Sequence, residues 1–123
     1  MDDNARYELR READTKVFMD GGEMVLRYFT TDKILFSAST LAPGERSTRD
    51  PGHVGAHEIA YCESGQCVLQ FGDGDDREFV RLEAGDAILI HDGVPHVFLN
   101  PGPDQARVTW SIAPSLGRPQ FSE

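Results

Sequence analysis

The chain has little of several features that would assign it to a membrane or secreted class. It has only two cysteines, Cys62 and Cys67, and its longest apolar stretches, such as Ala87–Ile90, are far too short to cross a bilayer. Residues 1–4 do not resemble a signal peptide. Because the sequence shows no export signal, we expect a cytoplasmic protein with reduced thiols. A zinc site is not expected from the two cysteines alone, since a second pair would be needed to complete the tetrahedron.

Basic residues are also scarce. The sequence has 12 Lys and Arg against 21 Asp and Glu, which gives a net charge of -9. A field of this sign repels phosphate backbones and anionic lipid, so neither nucleic acid nor a membrane is expected as a partner. Arg46 and Arg49 form a local exception. They either receive an anionic substrate or lie in solvent as ordinary loop arginines.

Turn-forming residues are abundant and divide the chain at short intervals. The 123 residues can bury one core, and they include 12 Gly and 7 Pro with no long helical period. This pattern predicts an all-β sandwich or barrel. Gly65 is expected to close a hairpin between two strands, and residues 1–16 to form a weak N-terminal arm. The predicted strands cover residues 17–19, 24–29, 33–41, 59–62, 68–71, 79–82, 87–90, 97–99 and 108–112.

Three residues in the second half of the chain have the character of metal ligands. His53, Glu58 and His96 offer two imidazoles and one carboxylate, a set that binds a divalent metal and leaves coordination positions open. Side chains alternate along a strand, so His57 points away from Glu58 if the strand is regular there. The three candidate ligands converge if their strands line the interior of one barrel.

The spacing of residues around His96 resembles the second motif of the cupin superfamily. Gly85, Gly93, His96 and Asn100 match the motif in order and spacing. The one departure is His91, which stands where the motif has a proline. The resemblance extends over residues 33–113. The sequence also resembles the first cupin motif, which lies nearer the N-terminus.

The first cupin motif is matched by His53, Glu58 and Gly65, but Pro51 stands where the motif has its first metal histidine. The resemblance implies a double-stranded β-helix, or jelly-roll barrel, that forms homodimers. It also implies one divalent ion, Fe, Mn, Ni or Zn, bound by His53, Glu58 and His96. The barrel would comprise residues 33–113, with an arm and strands at 1–32 in the same domain and a tail at 114–123.

Two further residues, His57 and Tyr61, are candidate catalytic residues that would carry protons beside the metal. Alternatively, His57 faces outward or replaces the missing ligand at a strand bulge, and Tyr61 packs between sheets. The resemblance implies a metal-dependent enzyme for a polar, anionic small molecule, of oxygenase, lyase, isomerase or cyclase type. Two alternatives remain, a non-catalytic cupin that binds or senses a small ligand and a metal-free structural dimer.

Overall fold

The computed structural model describes residues 6–115, and this part of the chain is almost entirely β-structure. Two single turns of 3-10 helix, Glu12–Asp14 and Gly74–Asp76, are its helical segments. Each predicted strand is present, which confirms the all-β prediction. The strands are β1 (Lys16–Asp20), β2 (Glu23–Thr30), β3 (Leu35–Leu41), β4 (His57–Ser64), β5 (Gln66–Phe71), β6 (Glu78–Glu83), β7 (Ala87–Ile90), β8 (His96–Leu99) and β9 (Ala106–Ala113).

The strands form two antiparallel sheets arranged as a jelly-roll barrel. The larger sheet has the order β1-β2-β3-β9-β4-β7, and the smaller one has the order β6-β5-β8. Buried and exposed residues alternate along β4 and β9, so each strand turns one face to the interior. The interior is filled by side chains of both sheets, including Leu41, Leu69, Phe98 and Val108. The main core therefore lies between the two sheets.

The turn at Gly65 differs from the sequence prediction, because it does not close a hairpin. Strand β4 pairs with β7 and β9, whereas β5 pairs with β6 and β8, so the chain crosses from one sheet to the other here. Gly65 has a φ of 72°, and a Cβ atom there would lie 2.3 Å from the backbone oxygen of Gln105. Cys62 and Cys67 flank the crossover as free, buried thiols, since both point into the core between the sheets.

The N-terminal arm lies against strands of the larger sheet. The guanidinium of Arg10 sits 5.4 Å from the ring centre of Phe29, and Arg107 Nη2 lies 3.3 Å from Glu12 Oε1. Residues 1–5 and most of the predicted C-terminal tail, from residue 116 onwards, lie outside the described residues. Within residues 6–115, no helix has the length and apolar character needed to cross a membrane.

Candidate metal centre

Asp50 and His96 are brought together by backbone pairing. The segment before Pro51 runs antiparallel to β8, and Asp50 N donates to His96 O at 2.8 Å while His96 N donates to Asp50 O at 2.9 Å. Residues that face each other in an antiparallel pair project to the same side. The side chains of Asp50 and His96 therefore both point into the barrel, where His96 is only 4% exposed.

Glu58 enters the same space from β4 in the opposite sheet. Exposure alternates along this strand, so that Glu58 is buried at 5% while His57 and Ile59 on either side are exposed. Glu58 pairs with Ile90 of β7 and with Ile112 of β9, which places it on a central strand of the larger sheet. A carboxylate on this face has no direct access to bulk water, so it must be neutralised or paired inside the barrel.

His53 is positioned by a tight loop between Asp50 and β4. Asp50 Oδ1 accepts a hydrogen bond from Gly52 N at 2.8 Å, and His53 O accepts bonds from Ala56 N at 3.1 Å and Gly93 N at 3.2 Å. Gly52 has a φ of 91°, and a Cβ atom there would lie 2.6 Å from the carbonyl carbon of Gly93. Only glycine fits this close approach without strain, and the resulting turn directs His53 inward, where it is 5% exposed.

The four side chains form one compact cluster. His53 Nε2 lies 3.3 Å from Asp50 Oδ2 and 3.5 Å from Glu58 Oε1. His96 Nε2 lies 3.7 Å from Asp50 Oδ2 and 3.4 Å from Glu58 Oε1. The candidate ligand atoms of Asp50, Glu58 and His96 all lie within 4.8 Å of one another. The structure thus brings the three sequence-predicted ligands together and adds Asp50 to them.

The electrostatics of the cluster fit a cation. Burial, assisted by the charges of Asp50 and Glu23, raises the pKa of Glu58 to about 9. Within the described chain, no group donates a hydrogen bond to Glu58 Oε1. Burial also lowers the pKa of His96, which favours the neutral imidazole that binds metals. A divalent ion would give the Glu58 carboxylate a positively charged partner. The four side chains are therefore suited to binding such an ion.

The pKa of Asp50 is shifted in the opposite direction. Burial on its own would raise it, but the hydrogen bond from His53 and the neighbouring imidazoles lower the pKa below its ordinary value. Asp50 therefore remains a carboxylate at neutral pH. The site combines a charged carboxylate, a second carboxyl group that a cation would ionise, and two imidazoles.

A cavity opens beside the cluster and contains about 460 Å³ of empty space, including the part that reaches solvent. Its acidic lining residues are Asp20, Glu23, Asp50 and Glu58, and its apolar wall is formed by Val25, Leu35, Phe98, Trp110 and Ile112. Among the described residues, no Lys or Arg lines this cavity. Arg46 and Arg49, considered above as anion receptors, are exposed and lie outside it.

His57 and Tyr61 occupy the outer face of β4. His57 is exposed, and its ring lies 5.3 Å from the ring of His91, edge to face. Tyr61 is 43% exposed and pairs with Thr109 of β9. Neither residue lines the cavity in the described chain. A catalytic role for His57 or Tyr61 stays a prediction that no contact of these side chains supports.

The family of the chain follows from comparison with known proteins. The family model described as "Cupin domain" matches residues 38–112, which is more than half of the chain. The chain belongs to the cupin family. The resemblance drawn from the two motifs is thereby confirmed. No curated protein matches this cupin.

Solved structures share the cupin fold with this chain at low sequence identity. A predicted oxalate decarboxylase from Thermotoga maritima is 19% identical with a TM-score of 0.71, over 86% of this chain and 98% of the other. An RmlC-like cupin from Shewanella frigidimarina is 15% identical with a TM-score of 0.74, over 95% and 97%. HppE in its Fe(II) form is 15% identical with a TM-score of 0.75, over 91% of this chain and 62% of HppE. Identities this low show the fold alone.

Two residues of this site were missed from the sequence, Asp50 and Glu23. Asp50 directly precedes Pro51, so a carboxylate beside the missing histidine was the available signal. Glu23 lies far from either motif, at the start of β2, and nothing in the local pattern distinguishes it from a solvated acid. Its place in the cavity follows from the pairing of β2 with β3, which only the tertiary structure reveals.

Proposed function

We propose that this cupin is a metal-dependent enzyme that binds one divalent ion and acts on a polar small molecule. His53, Glu58 and His96 would hold the ion, with Asp50 as a fourth ligand. The observation that carries the proposal is the buried cluster of two carboxyl groups and two imidazoles, in which Glu58 Oε1 lacks a hydrogen-bond donor. A solvated acidic group needs no partner, but Glu58, which is 5% exposed, must either be protonated or be paired with a cation.

Asp50 compensates for Pro51 at the position where the cupin motif has a histidine. Two carboxylates balance the charge of a divalent ion, whereas three imidazoles and one carboxylate would leave a net positive charge. Carboxylate ligands suit Mn(II) and Fe(II), and imidazoles also accept Ni(II) and Zn(II). We therefore propose that the ion is one of these four, with the second carboxylate favouring Mn(II) or Fe(II).

The cavity beside the cluster is the proposed substrate site. A bound divalent ion supplies Lewis-acid chemistry on a carboxylate or carbonyl group, and iron would add redox chemistry. Because no Lys or Arg lines the cavity, the ion would be the counter-charge for an anionic substrate. The apolar wall, which includes Phe98 and Trp110, would exclude water from the reacting groups. An oxygenase, lyase, isomerase or cyclase reaction is compatible with this arrangement.

Metal content tests the proposal through a matched pair of histidines. Protein purified without chelators should contain about one divalent ion per chain by mass spectrometry. His96→Ala should lose the ion, and Asp50→Asn should bind it more weakly. His57→Ala is the control and should keep the ion, because its ring lies outside the barrel. A His57→Ala protein without metal, beside a His53→Ala protein that retains it, would show that the ligands are wrongly chosen.

We also propose that the protein is a cytoplasmic homodimer. The two free, buried thiols suit a reducing compartment. Apolar side chains are exposed on the outer face of the larger sheet, and pairing of two chains there would cover them. These residues are Val17, Met19, Met24, Ile59, Tyr61 and Leu89.

A further inference from the structure

Glu23 is a buried acid of the cavity that the metal cluster does not use. It begins β2 directly after the turn at Gly21 and Gly22, and it pairs with Leu41 of β3. Its exposure is 6%, and it lines the same cavity as Asp50 and Glu58. A carboxyl group this deeply buried needs hydrogen bonds or a ligand to offset its loss of hydration.

A short hydrogen-bond network surrounds the Glu23 carboxyl. Trp110 Nε1 donates to Ser39 Oγ at 2.9 Å, and the side chains of both Ser39 and Trp110 lie within hydrogen-bond reach of Glu23. The Ser39 oxygen accepts from the indole, so its single proton is available to donate to Glu23. Trp110 also stacks on His96, with ring centres 6.1 Å apart. Glu23 is therefore held in a fixed position next to the metal cluster.

The negative charges of Asp20 and Asp50 act on Glu23, and Glu58 shares its cavity, whereas a divalent ion bound at the cluster would act against these charges. The protonation of Glu23 therefore responds to pH and to bound ligands. Burial is the main cause that raises its pKa to about 7, and the charges of Asp20 and Asp50 add to it. The hydrogen bond from Ser39 acts in the opposite direction, as does the weaker one from Trp110. Groups with a pKa near the working pH are the most effective proton donors and acceptors.

We propose that Glu23 contacts the small molecule in the cavity and takes up one solvent proton when that molecule binds. This inference rests on the metal-dependent function proposed above. When an oxyanion enters, a solvent proton forms an O–H bond on the Glu23 carboxylate, and that acid donates a hydrogen bond to the ligand oxygen. The proton returns to solvent when the ligand leaves. An ionised Glu23 would instead repel the ligand, because two acceptors would face each other.

Oxalate is a suitable probe because it is a small dianion whose oxygens chelate divalent metals. Calorimetric titration of oxalate into Mn²⁺-loaded protein, from pH 6.5 to 8.5 in two buffers of different ionisation enthalpy, measures affinity and proton uptake together. In wild type, the affinity for oxalate should fall as pH rises above neutral, by at most about tenfold per pH unit. Up to about one proton should be taken up for each oxalate bound. In Glu23→Gln the amide still donates, so affinity should be flat with pH and proton uptake should vanish.

Two further variants separate this role from a structural one. Glu78→Gln removes an exposed carboxylate of β6 and should keep the wild-type profile. Ser39→Ala removes the hydrogen bond that lowers the pKa of Glu23, so the midpoint of the profile should move to higher pH. This variant keeps the test available if Glu23→Gln does not fold.

The inference is overturned if Glu23→Gln binds oxalate with the wild-type pH dependence. It is also overturned if the loaded wild-type protein does not bind oxalate, or if Glu23→Gln loses Mn²⁺, since Glu23 would then be a ligand. A wild-type protein that takes up no Mn²⁺ refutes the proposed function itself, and the role of Glu23 falls with it. Metal content and oxalate profile therefore report the two failures separately.

Discussion

Replacing Glu58 by Gln should stabilise the metal-free protein while removing its ability to bind a metal. The pKa of Glu58 rises from an ordinary value of 4.5 to about 9 in the folded chain. Below pH 4.5 the carboxyl is protonated in both the folded and the unfolded chain, so its titration does not change the free energy of unfolding there. Between pH 4.5 and about 9 it stays protonated in the folded chain but ionises in the unfolded chain, so the free energy of unfolding falls as pH rises.

The size of this effect follows from the same shift. About 2.5 pH units separate the ordinary pKa from pH 7, and each unit is worth about 1.4 kcal/mol, so the free energy of unfolding of wild type falls by about 3.5 kcal/mol by pH 7. Glutamine is neutral in both states and avoids this loss. Glu58→Gln should then unfold on the order of 10 °C higher than wild type at pH 7. With saturating metal the order should reverse, because only wild type gains binding energy.

Urea unfolding of chelator-treated proteins between pH 5 and pH 8 measures the difference directly. The free energy of unfolding of Glu58→Gln should exceed that of wild type, and the difference should grow by up to about 1.4 kcal/mol per pH unit. The exposed control Glu78→Gln should show no such slope. An advantage that does not change with pH, or a Glu58→Gln protein less stable than wild type throughout, would refute the reasoning about Glu58.

Two other predictions concern the loop and the outer face. Gly52→Ala should lower the free energy of unfolding by at least about 1–3 kcal/mol and reduce metal content, because its Cβ meets the backbone of Gly93 and displaces His53. Gly44→Ala is the matched control in urea unfolding, since Gly44 also has a positive φ but its Cβ meets nothing within 4 Å; equal losses would contradict the argument. Light scattering at micromolar concentration should give the mass of a dimer, and Tyr61→Asp should shift it towards a monomer; a monomeric wild type would exclude the dimer.

The fold could be predicted from sequence because its signals are local. Glycine-bounded strands and alternating burial along β4 depend on neighbours in the chain, and they placed Glu58 on the inner face correctly. The crossover at Gly65 was misjudged as a hairpin because a tight turn looks the same whether it joins strands of one sheet or of two. Only the pairing partners of β4 and β5 distinguish the two cases.

The site could be predicted only in part for a related reason. His53 and His96 lie in motifs with regular spacing, so their chemistry is visible in sequence. Asp50 becomes a candidate ligand through its backbone pairing with His96, a contact across more than forty residues. Glu23 enters the cavity through the register of β2 with β3. Long-range register is not encoded in any short window of the sequence.

Anomalous diffraction from crystals of protein purified without chelators tests the central claim most directly. Data collected at the absorption edge of the bound metal locate the ion independently of the protein atoms. The proposed function predicts one strong peak per chain between His53, Glu58 and His96, within about 2.0–2.3 Å of their ligand atoms, with Asp50 completing the set. No peak at this position, or a peak beside His57 on the outer face, would contradict the account.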